Sequence, residues 1–470
     1  MNRFAASAFV LIFIVALLGL AVSGRAEDPT YQGEKFSRMI EIRAPEKIAR
    51  AALELGLDRT VPILSKTLER RDSVFDRAEL EIWQHLPSKL RSDQVQHTPV
   101  SADSARGKTL QVLCEIGFEA RGAIPALIKL LNTETNQGNR QVQVAALGFI
   151  GFESPEAMTV LEKATHDPSS AVRAAAILEL GWMGPKAASA VPSMIEEIKR
   201  EEAGGAWWAF AALGRMGPAA SNALPVLLPM LRSGSNTHGA LVVLKGMGPA
   251  AAPALPELTR MIELRQPDYP LAVETLLNMG APAQSCLSLL ESMLTDTNAI
   301  ARLLAATAVI RADGARDQAM SILVAALGKK GRSTSHWSPP FHCSCHLSMR
   351  LNEDMTAAWL LGDLGPAALE AVPMLTKAAQ SPNQWLRVIA LRALWRIEKK
   401  PEFIVHELAE LVPPLGKASE TYNALAAMTL AEIGPGAKTA VPQLEQARLS
   451  GPRVLRHEAT LALRRIGVEL

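Results

Sequence analysis

A nine-residue phrase that recurs at a nearly constant interval constrains this chain more than any other feature. The phrase reads Gly-Pro-x-Ala-x-x-Ala, then Val or Leu, then Pro, and complete copies begin at Gly184, Gly217, Gly248, Gly365 and Gly434. Degenerate copies begin at Gly117, Gly151, Gly280 and Gly314. From Gly117 to Gly314, successive copies are 31 to 34 residues apart. A fixed period of this length predicts an array of stacked repeats rather than separate globular domains.

Each repeat is predicted to contain two helices. Residues 170–183 carry apolar residues at helical spacing, and a second helix is predicted from about Ala188 to Arg200. Gly184 can adopt the left-handed conformation that ends the first helix, and Pro192 falls in the first turn of the second helix, where its missing N–H costs little. One pair of helices cannot bury its apolar face alone. The sequence therefore predicts an all-α fold, an α-solenoid of about eleven to twelve stacked antiparallel helix pairs.

The composition narrows the function classes. The 470 residues are 48% apolar and only 5% aromatic, so the core must be built mainly from Ala, Leu, Val, Ile and Met. The formal net charge of +2 is too balanced for a general nucleic-acid-binding role. Four cysteines are too few for the disulfide framework of a small secreted domain. Cys114 and Cys286 fall on predicted helices in distant repeats, so we expect two free thiols.

The residues around each phrase are similar to those of HEAT repeats. Residues 167–185 read Asp-Pro-x-x-x-Val-Arg-x-x-Ala, followed by Leu-Gly and by Gly-Pro, and Asp296 with Arg302 repeats part of this pattern. The chain resembles HEAT-repeat proteins, in particular the bilin-lyase-like subtype, over nearly all of its length after the amino terminus. The resemblance implies a HEAT/armadillo-like superhelix that acts chiefly as a binding scaffold and only occasionally as an enzyme. Nothing in the sequence defines the tetrapyrrole pocket of a bilin lyase.

The amino terminus has the pattern of a secretory signal peptide. Arg3 supplies a positive charge, residues 8–22 are apolar, and small residues allow cleavage after Ser23 or after Ala26. Residues 5–22 are also close to the length that spans a bilayer, so an uncleaved anchor is the alternative. We expect an exported protein, located in the periplasm or outside the cell.

Two irregular intervals complete the predicted organisation. Gly56 to Gly117 is 61 residues and Gly314 to Gly365 is 51 residues, which predicts an irregular start and an inserted loop. The predicted segments are a signal peptide at 1–26, an N-terminal helical cap with irregular first repeats at 27–116, regular HEAT repeats at 117–328, the inserted loop at 329–350, and C-terminal HEAT repeats at 351–470.

The inserted loop contains the most reactive side chains. It holds His342, Cys343, Cys345 and His346, with His336 nearby, and imidazole and thiolate are ligands that zinc prefers. The spacing is poor, because structural zinc sites usually separate their ligands so that the chain can fold around the ion. The loop is therefore a candidate zinc site of a metal-dependent or redox enzyme or sensor. The alternatives are an exposed loop and a reducible disulfide between Cys343 and Cys345.

A second chemical motif lies in the last repeat. His457-Glu458, after Arg456, is similar to the His-Glu motif of deoxyhypusine hydroxylase, a HEAT-repeat di-iron oxygenase. That family needs several such motifs on corresponding helices. The equivalent positions of other repeats hold Ala174, Trp207, His238, Val388 and Ala424. The resemblance therefore implies at most a degenerate relative of that enzyme.

The tryptophans on predicted first helices are the remaining candidates for a binding surface. Trp207, Trp208, Trp359 and Trp385 are the predicted partner-binding residues, because tryptophan is enriched at the energetic centres of interfaces. The alternative is that they are buried between stacked helices. The second helices carry mixed charges, as in residues 196–202, which is typical of a solvated face.

These observations favour a non-catalytic function. We predict an exported HEAT-repeat scaffold that binds a protein or an extracellular partner through its solenoid surface. No nucleic-acid partner is expected, and no membrane contact is expected beyond the amino-terminal segment. Zinc in the inserted loop is the one possible cofactor that the residue types suggest.

Overall fold

In the computed structural model the chain divides into two compact units, residues 1–160 and 161–470. Their boundary falls inside the segment that the period predicts to be uniform, residues 117–328. The residues that the structure describes are 28–72, 76–77, 80–81, 100–200, 205–328, 351–413 and 422–469. The predicted signal peptide and the inserted loop lie outside the described residues.

The first unit combines a short hairpin with helices. Its two strands pair antiparallel, with Thr30 opposite Lys35 and Tyr31 opposite Glu34. The sequence periodicity did not predict this hairpin, because each strand has only two residues. The elements are β1 (Thr30–Tyr31), β2 (Glu34–Lys35), α1 (Phe36–Ile42), α2 (Pro45–Leu55), α3 (Leu57–Leu68), α4 (Ala102–Ile116), α5 (Ile124–Thr133), α6 (Gln137–Ile150) and α7 (Pro155–Ala164), the last of which crosses the unit boundary.

The second unit alternates first and second helices. The first helices are α8 (Ser170–Met183), α10 (Gly205–Met216), α12 (Thr237–Met247), α14 (Tyr269–Met279), α16 (Ala299–Arg311), α18 (Glu353–Leu364), α20 (Gln384–Glu398), α22 (Tyr422–Ile433) and α24 (Arg453–Ile466). The second helices are α9 (Val191–Lys199), α11 (Leu224–Ser233), α13 (Leu255–Glu263), α15 (Leu287–Ser292), α17 (Arg316–Ala326), α19 (Val372–Ala378), α21 (Pro401–Leu411) and α23 (Val441–Ser450). From α10 onward, each first helix packs on the second helix that precedes it, and consecutive first helices pack on one another. The predicted all-α solenoid of stacked helix pairs is confirmed.

The recurring phrase forms the connection between the two helices of a repeat. Gly184–Ala190 is a 3₁₀ helix, and α9 begins at Val191, slightly later than predicted. Pro192 lies in the first turn of α9, as predicted. Gly184 has φ 63° and ψ −144°, so its φ is positive as expected, but its ψ lies outside the left-handed helical region. The same positive φ, from 57° to 77°, occurs at Gly117, Gly217, Gly248, Gly280, Gly365 and Gly434.

Small residues let consecutive first helices approach closely. A Cβ atom added to Gly246 of α12 would lie 1.9 Å from the carbonyl oxygen of Gly214 on α10. A Cβ atom on Gly181 of α8 would lie 2.7 Å from the Cα of Ala212 on α10. Only glycine fits at these two positions without a shift of the neighbouring backbone. The first helices are therefore the tightly packed layer of the second unit.

The core follows from this packing. Buried Ala, Leu, Val, Ile and Met side chains fill the space between helices, as the composition predicts. Thr109 on α4 is also buried, as are Thr275, Thr307 and Thr429 on first helices of the second unit, and each hydroxyl donates to the backbone carbonyl four residues earlier. Within the residues described, none of the helices has the length and apolar character needed to cross a bilayer.

Candidate functional site

Two tryptophans project from the amino-terminal end of α10. The side chains of Trp207 and Trp208 are 47% and 39% exposed, and they are the third and fourth residues of the helix. The other large apolar side chains that are exposed in the described chain lie singly on separate elements: Ile42, Val142, Leu264, Leu369 and Phe403. Two adjacent exposed indoles mark this end of α10 as a candidate binding site.

Trp207 is linked to the next two first helices. Its indole stacks on the imidazole of His238 in the first turn of α12, with ring centroids 5.9 Å apart and an interplanar angle of 29°. The Nδ1 atom of His238 lies 3.2 Å from Oδ1 of Asp268, the residue that precedes α14. This chain of contacts joins α10, α12 and α14 at one end.

A second set of polar contacts continues to the turn before α16. The hydroxyl of Tyr269 donates to Oδ1 of Asp296 at 2.9 Å, and Nη2 of Arg265 lies 2.8 Å from Oδ2 of Asp296. The guanidinium of Arg265 lies 5.3 Å from the centroid of the Tyr269 ring. Burial, and then the hydrogen bond to Asp296, raise the pKa of Tyr269 to about 12. The Tyr269 hydroxyl therefore remains a donor at neutral pH.

The backbone of the turns positions these side chains. Asn236, Arg265 and Asp268 have φ angles of 50°, 47° and 62°. Asn and Asp tolerate this left-handed region better than most residues, because their short polar side chains can form local hydrogen bonds. We name the resulting surface the turn edge, which consists of Trp207, Trp208, His238, Arg265, Asp268, Tyr269 and Asp296.

Trp359 lies in a different environment. It is 3% exposed on α18, and the guanidinium carbon of Arg392 lies 3.9 Å from its ring centroid. Arg392 also lies 3.2 Å from Glu432 and 3.7 Å from Asp363, both of which pair with Arg396 as well. Burial lowers the pKa of Arg392 against the effect of these carboxylates. Trp359 is therefore part of the interior, in a set of residues that we name the arginine cluster.

The remaining predicted tryptophan is intermediate. Trp385 is half-buried in the first turn of α20, and its ring packs edge-on against Tyr422 of α22 with centroids 6.3 Å apart. A further indole that was not assigned to the site, Trp182 of α8, lies under the guanidinium of Arg215 at 3.7 Å. The four predicted tryptophans thus do not form one surface: Trp207 and Trp208 belong to the turn edge, whereas Trp359 and Trp385 pack against side chains of the next first helix.

Two acids on the second helices differ from the predicted solvated face. Glu197 is 3% exposed and accepts from Nε of Arg173 at 3.1 Å. Arg173 also donates to the carbonyl oxygen of Asp167 at 3.2 Å, so it ties the preceding turn to α9. Glu257 is 9% exposed and accepts from Nε of Arg232 at 2.6 Å. For Glu197, the signal that sequence reasoning missed is the arginine of the Val-Arg motif, because a buried guanidinium requires a carboxylate partner.

The predicted metal ligands are not among the residues with a described structure. His342, Cys343, Cys345 and His346 all fall in the segment 329–350, so the zinc site stays a prediction. In the parts of the chain that are described, no group of three or more His, Cys, Asp or Glu side chains is arranged to hold a metal ion.

The other chemical candidates lie apart from one another. Glu458 of the His457-Glu458 motif is buried on α24, whereas His238 belongs to the turn edge on α12. Cys286 is a buried free thiol, as predicted, whereas Cys114 is only partly buried. Burial raises the pKa of the Cys286 thiol, which makes it a poor nucleophile at neutral pH.

Comparison with protein families identifies part of the chain. Residues 101–178 and 159–245 match the family model of HEAT repeats. The match extends from the start of α4 into α12, and it includes Trp207, Trp208 and His238. The predicted resemblance to HEAT repeats is confirmed for this part of the chain, and the bilin-lyase-like subtype stays a prediction. No curated protein matches the chain in sequence.

Among solved structures, the chain is similar to Kap121p, importin beta and She4p. The similarity to Kap121p has 14% sequence identity, covers 92% of this chain and 52% of Kap121p, and has a TM-score of 0.30. The similarity to importin beta has 14% sequence identity, covers 92% of this chain and 67% of importin beta, and has a TM-score of 0.35. The similarity to She4p has 13% sequence identity, covers 99% of this chain and 77% of She4p, and has a TM-score of 0.31. The chain spans about half the length of Kap121p.

Proposed function

We propose that this chain is an exported, non-catalytic HEAT-repeat scaffold that binds a protein partner at the turn edge. The observation that carries the proposal is the exposure of two adjacent indoles, Trp207 and Trp208, at one end of α10. Leaving apolar surface in water forgoes about 25 cal/mol per Å² of stabilisation, and exposed tryptophans commonly supply the anchors of an interface. The HEAT-repeat match supports the proposal because it covers the helices that carry both indoles.

The groups around the indoles suit a protein ligand. His238 and Asp268 are partly exposed and can donate and accept hydrogen bonds beside an aromatic contact. Leu264, which precedes Arg265 in the chain, is 63% exposed. The edge carries a cation and an anion of comparable exposure in Arg265 and Asp268, which does not favour a polyanion such as nucleic acid.

The polar groups of the turn edge support a structural role more than a catalytic one. Tyr269 and Arg265 both direct their polar atoms at Asp296, whose carboxylate is almost fully buried. A side chain whose polar atoms are occupied in this way holds a turn in place. We therefore assign binding to the indoles and support of the turns to Arg265, Tyr269 and Asp296.

A double variant tests binding at the turn edge. The chain from Glu27, immobilised, is expected to capture its partner from extracts of the exporting compartment, and Trp207→Ala/Trp208→Ala is expected to capture at least about tenfold less, because loss of one anchor typically costs 2 kcal/mol or more. The matched control is Leu369→Ala/Phe403→Ala, which removes two other exposed apolar side chains, 59% and 56% exposed. Equal capture by all three proteins, quantified by mass spectrometry, contradicts the proposal.

Export is tested separately. The apolar run at residues 8–22 and the small residues Ser23 and Ala26 support it. Amino-terminal sequencing of protein recovered outside the cytoplasm is expected to begin at Gly24 or at Glu27. A chain that begins at Met1 and sediments with membranes favours the uncleaved anchor, and an intact chain in the cytosol contradicts export.

A further inference from the structure

His238 contacts two groups of the turn edge that a partner would use. Its imidazole covers part of Trp207, and its Nδ1 atom lies 3.2 Å from the carboxylate of Asp268. The His238 side chain is 56% exposed. We propose that His238 is a proton-operated latch, which holds Trp207 and Asp268 more tightly when protonated than when neutral. This inference rests on the proposed function, because it concerns the regulation of the same edge.

The physical basis is the change in charge of the imidazole. Histidine is the side chain that ordinarily changes its charge between about pH 5 and pH 8. Protonation converts the hydrogen bond to Asp268 into an ion pair, and it converts the stack on Trp207 into a cation–π contact. Both contacts become stronger, because each gains an electrostatic attraction that the neutral ring lacks.

The other charged groups near the latch already have partners. Asp268 is the charged group that contacts the ring of His238 among the residues described. The charged pairs on the elements around α12 are Arg232 with Glu257, Arg265 with Asp296, and Lys245 with Glu274. On α10, Arg215 lies over Trp182, at the opposite end of the helix from Trp207. The proton on His238 therefore acts mainly on Asp268 and Trp207.

The consequence is weaker partner binding in acid. A partner that stacks on Trp207, or that donates to Asp268, must displace the imidazolium from both groups. An exposed cation–π contact changes an equilibrium by about two- to fivefold, and an exposed ion pair changes it by a similar factor. Partner affinity is therefore expected to fall by about four- to twentyfold between about pH 8 and pH 5.

Tryptophan fluorescence tests the latch without a partner. The emission of Trp207 is isolated as the difference between the wild type and Trp207→Phe, at about pH 8 and about pH 5. Because a protonated imidazole quenches an indole stacked on it, acidification is expected to lower this emission. Because the latch covers the ring, acidification is also expected to lower its quenching by the neutral probe acrylamide by about twofold.

Two histidine variants provide the comparison. His238→Gln is expected to lose both pH responses, with circular dichroism showing that it remains helical. His166→Gln is the matched control, since His166 lies 3.3 Å from the hydroxyl of Ser193 and is not part of the turn edge, and it is expected to keep both responses. A response that persists in His238→Gln, or a wild type without a response, overturns the latch.

The two proposals fail in different ways. If Trp207→Ala/Trp208→Ala captures the same proteins as the wild type, binding at the turn edge is wrong whatever the fluorescence shows. If capture depends on the two indoles but the fluorescence of Trp207 does not respond to pH through His238, the binding proposal stands and the latch is wrong.

Discussion

Helix α10 presents its tryptophans to solvent, whereas helix α18 buries its own. Both are first helices of similar repeats, and both lie in the second unit. Trp207 and Trp208 lie in the first turn of α10, but Trp359 is the seventh residue of α18. Each of these helices packs on the first helices before and after it. Trp359 therefore serves packing, whereas Trp207 and Trp208 are available for binding. Trp385 also lies in a first turn but is half-buried against Tyr422, so position along the helix alone does not expose an indole.

The two regions also share a contact. A guanidinium lies over an indole of the preceding first helix in both, Arg215 over Trp182 and Arg392 over Trp359, at 3.7 Å and 3.9 Å. In the arginine cluster this stack is buried and tied to the carboxylates of Asp363 and Glu432. Stacking of arginine on tryptophan is thus common to both regions. What distinguishes them is that Trp207 and Trp208 are exposed to solvent, whereas Trp359 is buried.

The largest expected effect comes from truncating one tryptophan of each region. Trp359→Ala is expected to lower the free energy of unfolding by about 3–5 kcal/mol, because it opens a cavity in the core. Trp207→Ala is expected to lower it by less than about 1 kcal/mol, because the indole is half exposed. Urea unfolding followed by circular dichroism measures both. Similar losses in the two variants would remove the distinction between a packing and a binding tryptophan.

The second prediction compares two arginines. Arg392→Leu is expected to lower the free energy of unfolding by about 2–3 kcal/mol, because it removes a buried guanidinium that packs on Trp359 and pairs with Asp363 and Glu432, with Arg396 as partial compensation. Arg50→Leu breaks an ion pair with Glu54 in which both side chains are exposed, at 48% and 39%, and it is expected to cost less than about 1 kcal/mol. High salt should reduce the cost of Arg50→Leu more than that of Arg392→Leu. Equal costs in urea unfolding would show that burial does not separate these ion pairs.

The third prediction concerns the spacing of the first helices. Gly246→Ala places a Cβ 1.9 Å from a backbone oxygen, whereas Gly362→Ala in α18 places one 2.8 Å from the Cα of Ala393. Both are expected to be destabilising, by about 1–3 kcal/mol, with the larger loss for Gly246→Ala. Gly107→Ala on α4 is the matched control, since its Cβ would meet no atom within 4 Å, and alanine should stabilise that helix by up to about 1 kcal/mol. The melting temperature is expected to fall for Gly246→Ala and Gly362→Ala and to rise for Gly107→Ala. A shift in the same direction for all three variants would argue against close approach of the first helices.

The repeats were predictable because they depend on local sequence. The period, the apolar spacing and the position of Pro192 all follow from residues within one repeat. The exposure of Trp207 was not predictable, because it depends on which residues of the next repeat come beside α10. There Gly239 faces the ring of Phe210, to which a Cβ would approach within 2.5 Å, and His238 is left to stack on Trp207. Contacts between neighbouring repeats determine which side chains of the candidate site are exposed. The sequence of a single repeat does not reveal these contacts.

The fourth prediction concerns the polar support of the turn edge. The pKa of Tyr269 is raised from 10.0 to about 12, so the folded state retains a proton that the unfolded state loses between those values. The stability that this proton contributes is complete below about pH 10 and is lost as the pH rises toward 12. Tyr269→Phe removes this dependence, and at neutral pH it is expected to cost about 1 kcal/mol through loss of the hydrogen bond to Asp296.

Absorbance of tyrosinate and urea unfolding check this prediction together. Tyr269→Phe should eliminate the ionisation near pH 12 and should flatten the alkaline decline of the free energy of unfolding. Arg392→Leu is the control, because it changes a different repeat and should leave the titration of Tyr269 unchanged. If Tyr269→Phe titrates as the wild type does, the hydroxyl does not hold Asp296, and the turns that bring His238 beside Trp207 must then be held by the backbone conformation of Asn236 and Asp268 alone.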